Sequence, residues 1–383
     1  MYSRILVPPK NKSFFIFGPR GTGKTTWVKT TYPDGIYLDL LEAELFNDLI
    51  ANPARLENFI PVNNKKWVII DEIQRIPELL NEVHRLIEST KQRFVLTGSS
   101  ARKLKRYGPN LLAGRALTYN MHPLTINELA GEFKLSHSLD YGLLPSVYTD
   151  QEYATKYLES YVQTYLQQEI QQEGLARSMA VFSRFLEAAS FSQASVLNIS
   201  EVARDASVER KVVENYFSIL EDLMIGYRLP AFTKKAKRRI VAHPKFFFFD
   251  VGVYRTIRPK GPLDTPEEIE GIALETLFFQ ELKALNDYYN LGYKLYYYRT
   301  ASGLEVDFVI YGKGGIKAFE IKRTRKIRPE MFKGLKAFLI DYPKANCYLF
   351  YGGNRVMSKG KIKIVPIKQA LTDLTTILNL SKA

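Results

Sequence analysis

The segment GPRGTGKTT (residues 18–26) lies between the apolar run FFIF (14–17) and a stretch that favours a helix. Its three glycines, Gly18, Gly21 and Gly23, permit a sharp turn in which backbone amide groups point inward at phosphate oxygens. The segment also fits the spacing G-x-x-x-x-G-K-[ST], in which a lysine and a hydroxyl residue follow the last glycine. We therefore predict a phosphate-binding loop between a buried strand and a helix, in a domain of the α/β class.

The residues of this loop have predicted contacts with ATP and Mg²⁺. The Lys24 ammonium is expected to reach the β- and γ-phosphates, and the Thr25 hydroxyl is expected to hold Mg²⁺. A helix that begins near Thr25 adds the positive end of its dipole, which favours bound phosphate. The predicted nucleotide contacts in the loop are Gly18, Pro19, Arg20, Gly21, Thr22, Gly23, Lys24, Thr25 and Thr26.

Two further apolar strands end in polar residues that complete the predicted site. The strand WVIIDE (67–72) ends in two carboxylates. Asp71 at the strand tip is predicted to bind Mg²⁺, and Glu72 is predicted to orient the water that attacks the γ-phosphate. The alternative is that the two acidic residues only cap the strand. At the end of RFVLTGSS, either Ser99 or Ser100 is expected to contact the γ-phosphate or the attacking water.

Apolar runs that alternate with helical stretches predict a parallel sheet with five strands. The runs are residues 14–17, 36–40, 67–72, 93–100 and 116–121. Arg115 lies just before the last run and has two open interpretations. It either stabilises the charge of the transition state, in trans on a neighbouring subunit, or forms an ordinary surface ion pair.

The composition is that of a globular protein with a strong excess of positive charge. In 383 residues there are 54 Lys and Arg against 40 Asp and Glu, which gives a net charge of +14 and a pI near 9.5. Such a surplus favours a polyanionic partner, DNA or another nucleic acid. A basic protein without such a partner is the alternative.

The same composition argues against disulfide, zinc and membrane chemistry. Cys347 is the only cysteine, and the four histidines show no metal-ligand spacing. No apolar stretch approaches the ~20 residues needed to span a bilayer. The short run SFFIFG is better explained as a strand than as a signal peptide. We therefore expect a cytoplasmic protein with no membrane segment.

The middle of the chain is predicted to contain a winged helix. A helix pair within residues 197–229 carries one apolar stripe, and its second helix exposes Glu209, Arg210 and Lys211 for a DNA major groove. Two strands then flank a turn, residues 234–239, in which five of six residues are Lys or Arg. This basic turn, here called the wing, is suited to contact phosphates regardless of DNA sequence. A module that only packs against protein is the alternative.

The last third of the chain carries carboxylates on a helix and on two strands. Glu275 lies on the apolar face of the predicted helix, and an inward carboxylate usually requires a cation. Strand alternation places Asp307 on one strand and Glu320 with Lys322 on the next. Glu275, Asp307 and Glu320 are predicted to bind Mg²⁺ or Mn²⁺, and Lys322 to position water or stabilise the phosphorane. The basic run KRTRKIR (322–328) is predicted to hold a nucleic-acid backbone.

The spacing D-x(12)-E-x-K after a helix with a glutamate resembles the PD-(D/E)xK nucleases of the restriction-endonuclease-like fold. It is similar in particular to archaeal Holliday-junction resolvases. A β-rich domain that keeps this fold without cutting is the alternative. If the resemblance extends to function, Asp307, Glu320 and Lys322 are the catalytic residues of this domain.

Seven segments extend a resemblance over nearly the whole chain: GPRGTGKTT, IIDEIQRIPELL, FVLTGSSARKL, LAGRALTYNMHPLT, ENYFSILEDLMIGYRLPAF, PKFFFFDVGV and YYYRTASGLEVDFVI with FEIKRT. They resemble the recurrent segments of a prokaryotic family of AAA-type ATPases. Its C-terminal domain of unknown function combines a winged helix with a nuclease-like fold. The resemblance implies ATP binding with hydrolysis, and a homo-oligomer such as a hexameric ring. It assigns the nucleotide to Lys24, Thr25, Asp71 and Glu72, and the nuclease-like positions to Glu275, Asp307, Glu320 and Lys322.

These inferences predict an α/β protein of three domains. They are an AAA-type ATPase domain with a parallel sheet (1–132), a helical linker with a winged helix (133–245) and a restriction-endonuclease-like α/β domain (246–383). The favoured function is ATP hydrolysis coupled to work on DNA, with branched DNA such as a Holliday junction as one candidate substrate. Whether the C-terminal domain is a metal-dependent nuclease or binds without cutting is left open. One alternative is a nucleotide-gated regulatory or defence switch that binds DNA or protein and does not cut. Another is an ATPase that acts on a protein partner.

Overall fold

The computed structural model describes residues 2–102, 104, 111–166, 170–171, 178–234, 240–262 and 264–379. The chain divides into two compact units. The first comprises residues 1–123 with 222–224, and the second comprises residues 124–221 with 225–383. The three predicted domain ranges stay a prediction, because the winged-helix region and the C-terminal sheet lie within one compact unit.

The first unit contains the predicted parallel sheet. Its strands are β1 Ser13–Phe17, β2 Ile36–Asp39, β3 Val68–Asp71, β4 Phe94–Gly98 and β5 Ala116–Asn120. They lie in the order β2-β3-β4-β1-β5, and every neighbouring pair is parallel. The α/β class and the parallel sheet predicted from the apolar runs are therefore confirmed. Because all strands run the same way, their carboxyl ends meet at one edge, where α/β proteins bind ligands.

The helices of the first unit connect these strands. They are α1 Lys24–Thr31, α2 Ala43–Ala51 and α3 Leu79–Thr90, with 3₁₀ turns at Pro53–Phe59, Ile73–Arg75 and Leu111–Gly114. Fully buried aromatic and aliphatic side chains from one sheet face and these helices form a single core, which includes Phe15, Leu49 and Val83. Burial of such side chains is the main stabilising contribution.

The second unit begins with short helices. They are α4 Ile126–Leu129, α5 Leu135–Tyr141, α6 Pro145–Thr149, α7 Ala154–Ser160 and α8 Met179–Ser190, with a π-helical turn at Tyr161–Leu166. Tyr161 is buried, and its ring lies 6.3 Å from that of Phe249. This tyrosine therefore packs in the core.

A helix pair and a hairpin follow, as the winged-helix pattern predicts. The helices are α9 Ile199–Asp205 and α10 Arg210–Asp222, and the strands are β6 Gly226–Leu229 and β7 Lys245–Phe248, which pair antiparallel. Val213, Tyr216 and Phe217 of α10 form the predicted buried stripe. Of the wing, only Lys234 is described, and residues 235–239 lie outside the described part of the chain.

The C-terminal part of this unit is a mixed sheet with helices. Two helices come first, α11 Val251–Ile257 and α12 Pro266–Tyr288. The strands are β8 Lys294–Arg299, β9 Glu305–Gly312, β10 Gly315–Lys322, β11 Asn346–Tyr351, β12 Met357–Lys359 and β13 Ile362–Pro366. The remaining helices are α13 Lys333–Asp341, α14 Ile367–Thr372 and α15 Leu374–Ile377, and a 3₁₀ turn spans Pro329–Phe332. The sheet order is β12-β13-β11-β10-β9-β8.

The long helix α12 begins as its sequence predicts. The Thr265 hydroxyl accepts a hydrogen bond from the Glu268 amide, and Pro266 occupies the first helical position. A proline is favoured there because its missing amide hydrogen costs no helical bond. Among the described helices, α12 included, none is both long and apolar enough to cross a membrane.

Gly334 lies where α13 packs closely on β9. A Cβ atom at Gly334 would clash with the backbone carbonyl oxygen of Glu305, whereas a Cβ at Gly271 in α12 would meet nothing within 4 Å. We expect Gly334→Ala to destabilise the protein by about 1–3 kcal/mol, since backbone cannot yield as a flexible side chain can. Gly271→Ala is the matched control and should stabilise it by up to about 1 kcal/mol. Thermal unfolding of both variants beside the wild type checks this, and equal melting temperatures for the two would contradict it.

Candidate functional site

The predicted phosphate loop connects β1 to α1 and folds around the Lys24 side chain. Lys24 is buried, and its Nζ donates hydrogen bonds to the carbonyl oxygens of Gly18 at 2.7 Å and Pro19 at 3.1 Å. Gly21 and Gly23 have φ values of 80° and 88°, which few residues other than glycine adopt. Carbonyl groups of the loop therefore hold the Lys24 ammonium within the loop.

Contacts outside the loop hold it in place. A Cβ atom at Gly18 would clash with the carbonyl oxygen of Met121, so only glycine allows this close approach. Arg4 donates hydrogen bonds to the carbonyl oxygens of Thr22 at 2.8 Å and His122 at 2.6 Å. Arg4 could not be predicted from the sequence, because nothing near residue 4 marks it as a partner of a loop that begins 14 residues later.

The other predicted loop residues differ in exposure. Arg20 and Thr26 are exposed, Pro19 is buried, and Thr22 is buried with its hydroxyl donating to the Pro19 carbonyl oxygen at 2.8 Å. Their contacts with a nucleotide stay predictions.

Thr25 and Asp71, the predicted magnesium ligands, lie next to each other. The Thr25 hydroxyl donates a hydrogen bond of 2.8 Å to Asp71 Oδ2. The hydroxyls of Thr97 and Tyr37 also donate to the carboxylate of Asp71. Burial, followed by the hydrogen bond to Asp71, raises the pKa of Tyr37 well above its ordinary value. A hydroxyl and a carboxylate in contact offer the hard oxygen ligands that Mg²⁺ prefers, so this pair fits the ion.

Glu72, the predicted water-orienting residue, has an unusual backbone and a tethered side chain. Its φ is 62°, a left-handed conformation that is uncommon for glutamate and recurs at functional sites. Its amide donates to Thr97 Oγ1 at 3.3 Å. The side chain of Gln74 donates from Nε2 both to the Glu72 carboxylate and, at 3.2 Å, to Ser99 Oγ. Gln74 therefore joins two residues that the sequence assigns to the γ-phosphate.

Gln74 is held at this position by the end of β4. Gln74 is buried, and a Cβ atom at Gly98 would clash with its Oε1. Ser99 rather than Ser100 is the serine in this network, since Ser100 Oγ instead accepts from the Arg102 amide at 3.3 Å. Contact of either serine with the γ-phosphate or the attacking water stays a prediction.

Arg115 forms an ion pair with Glu88 of α3. Both side chains are partly exposed, and the hydrogen bond from Arg115, together with its charge, lowers the pKa of Glu88. This contact is the surface ion pair that the sequence analysis kept as one interpretation. A role for Arg115 in trans, as a charge-stabilising residue, stays a prediction.

In the second unit, α12, β9 and β10 bring the predicted nuclease-like residues together. Asp307 Oδ2 accepts a hydrogen bond from the Ile321 amide at 2.7 Å. Lys322 Nζ lies 2.7 Å from Glu320 Oε1 and 3.7 Å from Asp307 Oδ2. Burial and the charge of Asp307 raise the pKa of Glu275 to about 8, and they also raise the pKa of Glu320. Glu275, Asp307 and Glu320 are therefore close enough to repel one another.

A second lysine, which the sequence analysis did not single out, completes this cluster. Lys245 begins β7, and its Nζ contacts Glu305 and lies 3.8 Å from Glu275 Oε2. Although burial alone would lower it, the charges of Glu275, Asp307 and Glu305 raise the pKa of Lys245 above its ordinary value. Arg299 pairs with Glu305 at 3.2 Å. We call Lys245, Glu275, Arg299, Glu305, Asp307, Glu320 and Lys322 the lysine–carboxylate cluster.

The donor set of this cluster does not fit the divalent-cation site expected from the sequence. Among the described residues, no three His, Cys, Asp or Glu side chains are arranged to hold a metal ion. Lys245, which the nuclease-like motif does not include, lies 3.8 Å from Glu275, and an ammonium group repels a cation. Buried oxygens of Glu275 and Glu320 lack a hydrogen-bond partner all the same. The metal-binding role of Glu275, Asp307 and Glu320 is therefore not supported by this geometry.

The described surfaces offer basic residues for a nucleic acid. Lys211 is exposed near the start of α10, whereas its neighbour Arg210 pairs with Glu214 at 3.3 Å. The predicted basic run after β10 is exposed at four positions, and one of them, Arg323, pairs with Glu270. Those four are Arg323, Arg325, Lys326 and Arg328.

Comparison with known proteins agrees with the geometry of the first unit. The profile of an AAA domain matches residues 10–130. The chain carries an AAA domain followed by C-terminal domains of unknown function. The two C-terminal matches are a domain of unknown function (DUF8612) over residues 132–264 and another (DUF4143) over residues 270–370.

Relatives of this AAA protein match most of its length but add no activity. Two uncharacterized proteins, one from Mycobacterium bovis and one from Mycobacterium tuberculosis, are each 25% identical to it over 312 residues. The match covers 80% of this chain and 69% of each relative, so it extends beyond the AAA domain.

Substitution of Gln74 tests whether its hydrogen bond orients the Glu72 carboxylate within the AAA domain. We expect Gln74→Ala to lower kcat for ATP by about tenfold or more, because a carboxylate without its tether positions water poorly. ATP binding should stay unchanged, since Lys24, Thr25 and Asp71 keep their contacts. Gly98→Ala, which displaces the same amide, should give the same result, and Ser100→Ala is the control. Steady-state turnover and binding of a fluorescent ATP analogue check this, and an unchanged kcat in Gln74→Ala would contradict it.

Proposed function

We propose that this protein binds ATP with Mg²⁺ and hydrolyses it. The observation that carries the proposal is the 2.8 Å hydrogen bond between Thr25 and Asp71. It joins the end of the phosphate loop to the tip of β3, which are the two points where a P-loop enzyme holds its magnesium ion. The match of an AAA domain to residues 10–130 supports the same activity.

In this proposal each residue of the site has a separate task. The loop amides and the Lys24 ammonium bind the β- and γ-phosphates. Thr25 and Asp71 would hold Mg²⁺, which neutralises charge on the phosphate oxygens when bound. Glu72, oriented by Gln74, positions the attacking water, and Ser99 lies on the same network.

We further propose that the protein acts on DNA, with branched DNA such as a Holliday junction as the favoured substrate. The net charge of +14 supports a polyanionic partner. The helix pair and hairpin of the second unit have the arrangement of a winged helix, and the exposed basic run after β10 is suited to phosphate contacts. A homo-oligomer, such as a hexameric ring, is proposed on the resemblance to AAA-type ATPases alone.

The second candidate function is a nucleotide-gated switch whose C-terminal domain binds DNA or protein and does not cut. The lysine–carboxylate cluster favours it. Lys245, which the nuclease-like motif does not include, lies beside Glu275, one of the carboxylates that a nuclease would use for divalent ions. We therefore propose ATP-dependent work on DNA in which cutting by this domain is not required.

Two substitutions separate ATP binding from hydrolysis. Lys24→Ala should abolish ATP binding or lower its affinity by at least tenfold, because the phosphates lose their ammonium partner. Glu72→Gln should keep ATP bound and lower turnover by about 10²-fold or more, because the amide cannot act as the carboxylate does. Equilibrium binding and phosphate release on the same preparations check both. Normal hydrolysis by Lys24→Ala would refute the phosphate-loop assignment, and normal turnover by Glu72→Gln would remove its role.

Neutralising the wing tests its proposed binding to phosphates. We expect replacement of all its basic residues by glutamine to weaken DNA binding. The dependence of affinity on salt should also fall, by roughly one unit of slope for each phosphate that the wing no longer neutralises. The residues are Lys234, Lys235, Lys237, Arg238 and Arg239. The control variant replaces Lys91, Lys260 and Lys313, and affinities are measured at several salt concentrations. The same slope as the wild type would mean that the wing does not contact phosphate.

A further inference from the structure

We infer that Lys245 is the built-in counter-cation of the lysine–carboxylate cluster and that it excludes divalent cations from it. The inference concerns the second unit alone and holds whether or not the AAA domain hydrolyses ATP. It assigns Lys245 the task that a metal ion has in a nuclease centre, namely to neutralise neighbouring buried carboxylates.

The position of Lys245 is fixed by the hairpin on which it lies. Lys245 pairs with Leu229 across β6 and β7, and its side chain is 3% exposed. A buried ammonium group is tolerated only where charged partners surround it. Its partners are Glu305, in direct contact, and Glu275 at 3.8 Å. These contacts place a permanent positive charge between α12 and β9.

Lys245 and Lys322 contact different carboxylates of the cluster and differ in exposure. Lys322 is bound to Glu320 and Asp307, and a third of its side chain is exposed. Lys245 contacts the other two carboxylates, Glu275 and Glu305, and is almost fully buried. Loss of Lys322 leaves a gap that water can enter. Loss of Lys245 removes the cation beside Glu275 and leaves Glu305 with Arg299 alone.

The balance of charges explains why a divalent ion is excluded. Counted in their charged forms, the carboxylates of Glu275, Glu305, Asp307 and Glu320 face the cations of Lys245, Arg299 and Lys322. In this fully ionised state the cluster lacks only one positive charge, and a divalent ion would give it an excess; any proton on Glu275 or Glu320 reduces the deficit further. Without Lys245 the fully ionised cluster lacks two positive charges, which one divalent ion cancels once it has displaced such protons. Removal of Lys245 should thus create a metal site.

Manganese binding to the full-length, nucleotide-free protein tests this inference. Free Mn²⁺ is measured by electron paramagnetic resonance during titration of the wild type, Lys245→Met and Lys245→Arg. We expect Lys245→Met to gain one site at least tenfold tighter than any in the wild type, and Lys245→Arg to resemble the wild type. The new site should disappear when Asp307→Asn is added to Lys245→Met. Binding at Thr25 and Asp71 is subtracted with a Thr25→Ala background in every variant.

Two results would overturn the inference. One is an Mn²⁺ site in the wild type that Asp307→Asn removes, and the other is a folded Lys245→Met variant that binds Mn²⁺ no better than the wild type. If Lys245→Met and the milder Lys245→Gln both fail to fold, the wild-type titration decides. Absence of an Asp307-dependent site then supports Lys245 as the counter-cation, and its presence refutes it.

Cleavage assays give a second readout that is independent of ATP turnover. End-labelled single-stranded, duplex and four-way-junction DNA are incubated with the wild type and Mg²⁺ or Mn²⁺, with and without ATP. We expect no cutting at the cluster. Cutting that disappears in Asp307→Ala would contradict the inference even if ATP hydrolysis proves normal, whereas loss of ATP hydrolysis alone would leave it intact.

Discussion

The carboxylate of Asp71 connects four elements of the first unit, at the sheet edge where ATP hydrolysis is proposed to occur. It lies at the end of β3 and accepts hydrogen bonds from Tyr37 on β2, Thr97 on β4 and Thr25 on α1. A buried carboxylate must be satisfied by donors, and here each donor comes from a different element. The spacing of the strand ends and of the first helical turn therefore depends on one side chain.

The two carboxylate sites of the molecule are neutralised in opposite ways, and this determines what each can bind. Hydroxyl groups satisfy Asp71 without cancelling its charge, so the site keeps its attraction for a cation. Lysines lie beside Glu275 and Glu320 and cancel much of theirs, although one buried oxygen of each lacks a hydrogen-bond partner among the described residues. Residues of the same type are thus suited to Mg²⁺ in the first unit and to internal ion pairs in the second. A carboxylate's neighbours, rather than its presence, decide between the two outcomes.

The features that short sequence patterns encode are predicted well. The parallel sheet follows from apolar runs, and the contact between Thr25 and Asp71 follows from a glycine-rich loop and a strand that ends in acid. The contacts of Tyr37 and Lys245 could not be predicted in the same way, because their partners lie on other elements and are brought close only by the fold. Tyr37 lies two residues before Asp39, which pairs with Asp71, and only that register brings its hydroxyl within reach. Lys245 is the first residue of an apolar strand, and this position does not mark it as a partner of the distant carboxylates.

Thr97 links Asp71, the proposed metal ligand, to Glu72, the proposed water-orienting residue. Its hydroxyl donates to Asp71 and accepts from the amide of Glu72, so one side chain serves two consecutive residues. The left-handed backbone of Glu72 costs about 1 kcal/mol or more, and this amide bond helps to offset it. Asp71 and Glu72 are also joined by a peptide bond, so a shift of the Asp71 carboxylate reaches Glu72 both through the backbone and through this hydroxyl. In the proposed ATPase, magnesium binding at Thr25 and Asp71 would therefore be coupled to the orientation of the attacking water.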